Sequence, residues 1–243
     1  MTRGYREDLA YIHDVGFGSF SLSAAPGLLD MLRRGGIQSG LVVDLGCGSG
    51  LWARRIVDAG YSVLGIDMSS SMIAMARRRV PEGHFRRQSL FRADLPGCDA
   101  VTSIGECFNY LFDANNNWLR LTRVLRRVYE ALRRGGIFIF DVAGPGRLPG
   151  RMPVFSHYEG KDWAILVSAT EDRRRSLLTR RITAFRQVGE FYRRTEETHT
   201  LKLFEAGRVA EELRAIGFRV RVLRGYGRLR FGPGHTGFIA RKA

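Results

Sequence analysis

Along residues 41–142, short apolar runs alternate with stretches whose apolar residues recur every three to four positions. "LVVDL" (41–45) predicts a strand. "LWARRIVDAG", with Leu51, Ile56 and Ala59 on one face, predicts a helix closed by Gly60. The alternation continues through "SVLGID" (62–67), a helix around "SSMIAMARRR", a strand near "HFRRQSL", and "CDAVTSIG" (98–105). Then "FNYLFD" turns into a helix through "WLRLTRVLRRVYEALRRGG", which stops at Gly135-Gly136 before the strand "IFIFDV" (137–142). Strands taking turns with helices predict an α/β fold built on a parallel, doubly wound sheet.

After the Gly/Pro loop "AGPGRLPGRMP" the period changes. "WAILVSATED" and "LLTRRITAFRQVGEFYRRTEETHTLKLF" alternate apolar and polar residues without a helical repeat, which predicts an antiparallel hairpin or meander. A helix at "AGRVAEELRAIGF" and strands at "RVRVLRG" and "HTGFIARK" end the chain. No repeat and no long linker divides it, so residues 1–243 read as one domain, with 151–204 inserted after the fifth strand.

Composition changes this picture little. A chain of 243 residues with 44% hydrophobic and 26% charged residues is long enough to bury a substantial core. No apolar stretch reaches the length of a signal peptide or a membrane span, so a cytoplasmic protein without membrane attachment is expected. Cys47, Cys98 and Cys107 form no C-x-x-C pair, which argues against a disulfide framework or a cysteine zinc site, and no metal is expected. The net charge of +15 raises nucleic-acid binding. Only Lys161, Lys202 and Lys242 are lysines among the 39 basic residues, and the arginines are spread in short pairs from Arg3 to Arg241. Dispersal of this kind disfavours a nucleic-acid footprint.

The chemistry concentrates in "VVDLGCGSG" (42–50). A strand running into a glycine turn and a helix brings backbone N–H groups to a ligand at the carboxyl edge of the sheet. Gly46, Gly48 and Gly50 follow G-x-G-x-G spacing rather than the G-x-G-x-x-G of dinucleotide binders, which suits a nucleoside with an amino-acid tail better than a pyrophosphate. Asp67 ends the second strand, placed to accept hydrogen bonds from two ribose hydroxyls. With "VDLGCGSG" as first motif, "GIDMS" as second, and the elements "CDAVTSIGE" and "LRRGGIFIFDV", the sequence resembles the class I S-adenosylmethionine-dependent methyltransferases over essentially its whole length. Within that family it is similar to the small-molecule branch, the amino-sugar and glycine N-methyltransferases.

The resemblance implies a Rossmann-like, mostly parallel sheet of seven strands and S-adenosyl-L-methionine as cofactor, with S-adenosyl-L-homocysteine as product. It sets the glycine turn with Cys47 against the methionine moiety, Asp44 by the amino group, Asp67 on the ribose, and Met68 and Met72 on the adenine. Where many relatives place an acid after the third strand, "QSLF" offers Ser89 and Leu90 instead. Ile104, Gly105 and Glu106 would flank the sulfonium. Residues 1–36 resemble a helical lid, closed by Tyr5, Tyr11 and Phe20, with Tyr11 counted among the cofactor contacts. The insertion resembles a roof or a dimer contact, so a monomer or a homodimer is expected.

Methyl transfer is an in-line displacement that depends on alignment and exclusion of water, with a base useful for a hydroxyl acceptor. Glu106, His13 and Tyr110 are the candidates for catalysis. Asn109, Asp141, His157, Tyr226 and Arg228 are the candidates for the acceptor pocket. Transfer to N or O of a small molecule is the expected activity; an RNA methyltransferase and a non-catalytic cofactor-binding protein are the alternatives.

Overall fold

The computed structural model describes residues 4–112, 116–150 and 152–243. The start of the expected lid (1–3), the end of "FNYLFD" (113) and the first residue of the expected insertion (151) lie outside them. Helices α1 (Glu7–Phe17) and α2 (Ser19–Arg34) precede β1 (Leu41–Leu45), α3 (Leu51–Asp58), β2 (Ser62–Asp67), α4 (Ser70–Arg79), β3 (His84–Arg87) and β4 (Cys98–Ser103). A short 3-10 turn at Cys107–Asn109 leads to α5 (Trp118–Ala131) and β5 (Leu132–Ala143). Strands β6 (Val154–Glu159), β7 (Trp163–Asp172), β8 (Leu177–Val188) and β9 (Phe191–Lys202) then form a separate antiparallel sheet. The chain closes with α6 (Ala206–Ile216), β10 (Phe218–Leu223), the small hairpin β11 (Gly225–Tyr226) and β12 (Leu229–Arg230), and β13 (His235–Lys242).

The seven-stranded sheet has the order β10-β13-β5-β4-β1-β2-β3. Strand β13 runs antiparallel to both neighbours, and the pairings among β5, β4, β1, β2 and β3 are parallel. The parallel core is the one that the alternating pattern predicts, and the whole is the mostly parallel sheet of seven strands that the resemblance implies. Strand β5 starts earlier than the glycine pair suggests: Leu132 already pairs with Cys98, and an irregularity absorbs the glycines before Ala100 meets Ile137.

Buried strands alternate their side chains between two helical layers. Val43, Leu45, Val101, Phe138 and Phe140 pack against α5 and α6 through Leu121, Leu125, Val128 and Leu213. Val42, Val63, Ala100, Ile137 and Ile139 face the other way, onto Leu28, Leu32, Trp52, Ile56 and Ile73. The expected lid therefore divides in two. Helix α2 belongs to the sheet's own flanking layer, whereas α1 packs Leu9 and Ile12 on Trp163, Ile165, Ile182 and Ala184 of the antiparallel sheet.

Polar ties reinforce that second packing. Asp8, buried, pairs with Arg193 and with Arg186 at 3.4 Å, while the backbone N–H groups of Tyr5 and Arg6 each donate to the Glu197 carboxylate at 2.8 Å. Among the described residues no single helix is long and apolar enough to cross a membrane.

Candidate active site

The turn after β1 opens the site. Gly46, Gly48 and Gly50 all take positive φ (79°, 53° and 81°), a region that side chains rarely enter. Gly46 N–H donates to Ile66 O at 2.7 Å, which ties the turn to the end of β2. A Cβ at Gly48 would meet nothing within 4 Å, so this edge of the turn faces open space, as does Gly105 after β4. Gly50 serves a different purpose from the one expected. It does not line the cavity; a Cβ there would stand 3.0 Å from Ala76 Cα, so its bareness lets α3 and α4 pack closely.

Asp67 ends β2 with both oxygens already engaged: Oδ2 accepts Gly48 N–H at 3.0 Å and Oδ1 accepts Ser69 N–H at 2.8 Å. Burial pushes its carboxyl up, and these backbone donors pull it back. Asp44, almost fully buried, accepts from Thr102 Oγ1 at 2.8 Å, and desolvation drives its carboxyl up to about 7 against that hydrogen bond.

A cavity of about 1270 Å³ runs from this turn, under α1, to the inner face of β6–β8. It brings together His13, Asp44, Gly46, Cys47, Gly48, Asp67, Met68, Met72, Leu90, Ile104, Gly105, Glu106 and Tyr110 from the sequence-derived set. Burial pushes both the Cys47 and Cys107 thiols beside the turn well above their usual value, so both stay protonated.

The remaining candidates are placed elsewhere. Ser89 does not line the cavity, and its hydroxyl accepts Phe91 N–H at 3.1 Å within its own turn. Tyr11 faces away, donating to Asp162 Oδ2 at 2.8 Å with the Arg186 guanidinium over its ring. Asn109 is fully buried and spends its amide on backbone, donating to Ala143 O and Lys202 O and accepting Ala143 N–H, which pins the 3-10 turn to β5 and β9. His157 is exposed; on β6 the alternating residues Val154, Ser156 and Tyr158 take the cavity side. Arg228 is exposed in the β11–β12 hairpin.

Asp141 and Tyr226 are fully buried beneath the cavity rather than in it. The Asp141 carboxylate accepts Gly105 N–H (2.9 Å), Glu106 N–H (2.6 Å) and Tyr226 Oη–H (2.9 Å), and holds His235 Nε2 at 2.9 Å. It acts as a hub that fixes the turn after β4. Glu106, a candidate for catalysis, carries no free carboxylate. Its backbone is left-handed (φ 62°) instead of helical, so it shares no helical face with Asn109 and Tyr110, and its side chain pairs with Arg180 Nη2 at 3.1 Å and with Arg147.

Sequence reasoning passed over Arg147, Arg180, His199 and His235, all of which line the cavity. Arg180 carried a signal: it falls in phase with the buried Leu178, Ile182 and Ala184 of β8, an arginine on an otherwise apolar face. Around the far end, Tyr5, His13, Tyr110, Phe112 and His199 form one aromatic cluster, with Tyr5 Oη 3.0 Å from Tyr110 Oη and the Tyr5 ring 4.9 Å from His199. Burial is the main cause that lowers His13 to about 4, with Asp14 opposing and His199 assisting, so its imidazole is neutral near pH 7. Burial also lifts the Tyr5 and Tyr110 phenols.

A sequence-family model described as a methyltransferase domain matches residues 42–136, the segment that carries the glycine turn and Asp67. Residues 42–136 form a methyltransferase domain, and the whole chain has the fold of the S-adenosylmethionine-dependent methyltransferases. The methyltransferase is 26% identical over 192 residues to a Bacillus subtilis (strain 168) protein named as a methyltransferase, YqeM, covering 75% of each chain. Other curated methyltransferases match over less than half of their own length. Its fold is similar to that of an S-adenosylmethionine-dependent methyltransferase from Clostridium acetobutylicum (TM-score 0.80, 16% identity, 96% of this chain and 97% of that one). It is also similar to that of the sugar N-methyltransferase KedS8 from Streptoalloteichus (TM-score 0.76, 20% identity, 98% and 93%).

The residues present fit the cofactor. The open cradles at Gly48 and Gly105 leave room for a ligand against backbone, and the Asp67 carboxylate, oriented by two amides, keeps lone pairs for two hydroxyls.

Proposed function

We propose that this methyltransferase transfers the methyl group to a nitrogen of a small-molecule amine. The observation that supports this reading is the wall facing Gly105 and Glu106: the His13 imidazole lowered by burial to about 4, phenols held protonated by burial, apolar side chains of β7 and β8, and a Glu106 carboxylate already paired with Arg147 and Arg180. A hydroxyl acceptor needs a base to become nucleophilic, whereas an amine presents its lone pair once neutral. The likeness in fold to KedS8, a sugar N-methyltransferase, agrees with an amine acceptor.

In this reading Asp67 holds the ribose hydroxyls, Asp44 faces the amino group of the methionine tail, and Met68, Met72 and Leu90 pack on the adenine. When bound, S-adenosylmethionine supplies an electrophilic methyl group on a sulfonium. Residues of the chain then do the remaining work by alignment. The glycine turn and the Asp141-anchored turn at Gly105 fix one partner, and the aromatic cluster around Tyr5 and Tyr110 confines the other and excludes water, an effect worth about 7–11 kcal/mol when geometry is good. Helix α1 and the antiparallel sheet roof the cavity, which favours a small acceptor over a polymer.

A pH–rate profile with an amine acceptor tests the reading. The rate should rise with pH up to the acceptor's own pKa, and His13→Gln should leave that limb in place. A limb that disappears with His13→Gln would assign the proton to the enzyme and overturn transfer without a protein base.

A further inference from the structure

Glu106, Arg147 and Arg180 form an unbalanced group at the acceptor end of the cavity. Of the five donors of Arg180, one makes a hydrogen bond among the described residues, Nη2 to Glu106 Oε2 at 3.1 Å. Arg147 donates Nη1 to Pro233 O at 3.0 Å and sets Nη2 against Glu106 Oε1, while its Nε is buried with no hydrogen-bond partner. Glu106 Oε1 is likewise buried and makes an ion pair but no hydrogen bond. Two guanidinium groups thus share one carboxylate, leaving one positive charge in excess in a cavity that Leu148 and Val167 also line.

Such an arrangement is costly by itself. Buried charged groups persist when paired and fully hydrogen-bonded, and a partly satisfied network is worse than none. The backbone adds to the cost, because Glu106 adopts a left-handed conformation that non-glycine residues seldom take, imposed by Asp141 accepting its N–H at 2.6 Å. The turn after β4 therefore brings a carboxylate to the guanidinium pair without satisfying it.

We infer that Arg147 and Arg180 form the subsite for an anionic group on the acceptor, a carboxylate or a phosphate, and that Glu106 occupies it as an internal stand-in until the acceptor arrives. The inference rests on the reading of this cavity as the acceptor site. An incoming anion offers two or more oxygens to donors that Glu106 leaves unused, including the planar fork of Arg180, and such bidentate contacts are stronger and more directional than a single charged hydrogen bond. The amine to be methylated and the anion would then belong to one molecule, held at opposite ends.

The test uses the full chain saturated with S-adenosylhomocysteine and titrated calorimetrically with acetate and, separately, with inorganic phosphate. Because Glu106 competes for the site, Glu106→Gln should bind the preferred anion about 10- to 100-fold more tightly than the parent, the scale of a charge-assisted hydrogen bond. Adding Arg180→Met to that variant should abolish the gain, and Arg147→Met should reduce it. Preference for acetate assigns a carboxylate-bearing acceptor, and preference for phosphate a phosphate-bearing one. No gain in Glu106→Gln, or a gain that survives Arg180→Met, overturns the subsite. Should Glu106→Gln fail to fold, Arg180→Met in the parent chain must still lose anion binding for the inference to stand. Binding of S-adenosylhomocysteine, measured first, separates the outcomes: its loss in the parent chain would count against the proposed function, whereas its retention without an anion effect would count against the subsite alone.

Discussion

Asp44, within β1, and Asp67, at the end of the neighbouring β2, should respond to different perturbations. Asp67 is oriented by two backbone amides before any ligand arrives, so Asp67→Ala should weaken S-adenosylmethionine binding by about 1.5–3 kcal/mol, the scale of hydrogen bonds to a charged group, as read by calorimetry. Asp44 carries a pH signature instead. Burial raises its carboxyl to about 7, so below that pH the free protein holds it protonated, and the cofactor's ammonium must expel that proton on binding. Affinity should therefore strengthen by roughly tenfold per pH unit as pH rises toward 7 and level off above it. A flat profile, or one unchanged in Asp44→Asn, would remove Asp44 from the amino group.

At the scale of elements, helix α1 carries its own titration. His13 has a folded value of about 4, below its unfolded value of roughly 6.5, so its contribution to stability is fully present above 6.5 and is lost as pH falls toward 4. Unfolding free energy should drop by about 1 kcal/mol per pH unit across that window, and His13→Gln should flatten this part of the slope. The close approach of α3 and α4 predicts that Gly50→Ala costs more than Gly60→Ala in urea unfolding. Both glycines have positive φ, but only Gly50 would drive a Cβ against Ala76, so the first should cost about 2–3 kcal/mol and the second about 1.

Much of this was legible in the chain because local signals carried it. The glycine spacing, Asp67 at a strand end and the change from helical to alternating period after residue 150 are each written in a short stretch of neighbouring residues. Apart from Ser89, spent within its own turn, the misplaced residues depend on contacts distant in sequence. Whether His157 or Ser156 faces the cavity turns on a one-residue phase of β6, and the roles of Asn109 and Asp141 depend on backbone from β9 and the turn after β4. The ion pairs of Glu106 were not legible because its partners lie on a loop and a strand far along the sequence.

Over the whole molecule, several arginines serve ion pairs, as where Arg186 and Arg193 clamp α1 through Asp8, Arg54 bridges Asp58 and Glu82, and Arg79 meets Asp14, and the excess of +15 is carried by arginines dispersed along the chain. Transfer RNA fragments should accordingly bind no more tightly than the nonspecific range of about 10⁻⁴–10⁻⁶ M at physiological salt. The central claim is transfer of a methyl group to a small amine in the roofed cavity. The most direct test incubates the enzyme with S-adenosylmethionine carrying an isotopically labelled methyl group and a mixed panel of small amines, alcohols and RNA, then reads the label by mass spectrometry. Label on the nitrogen of a small amine, with matching release of S-adenosylhomocysteine, is the expected result. Label on a hydroxyl or on RNA, or tight cofactor binding with no transfer to any acceptor, would contradict it.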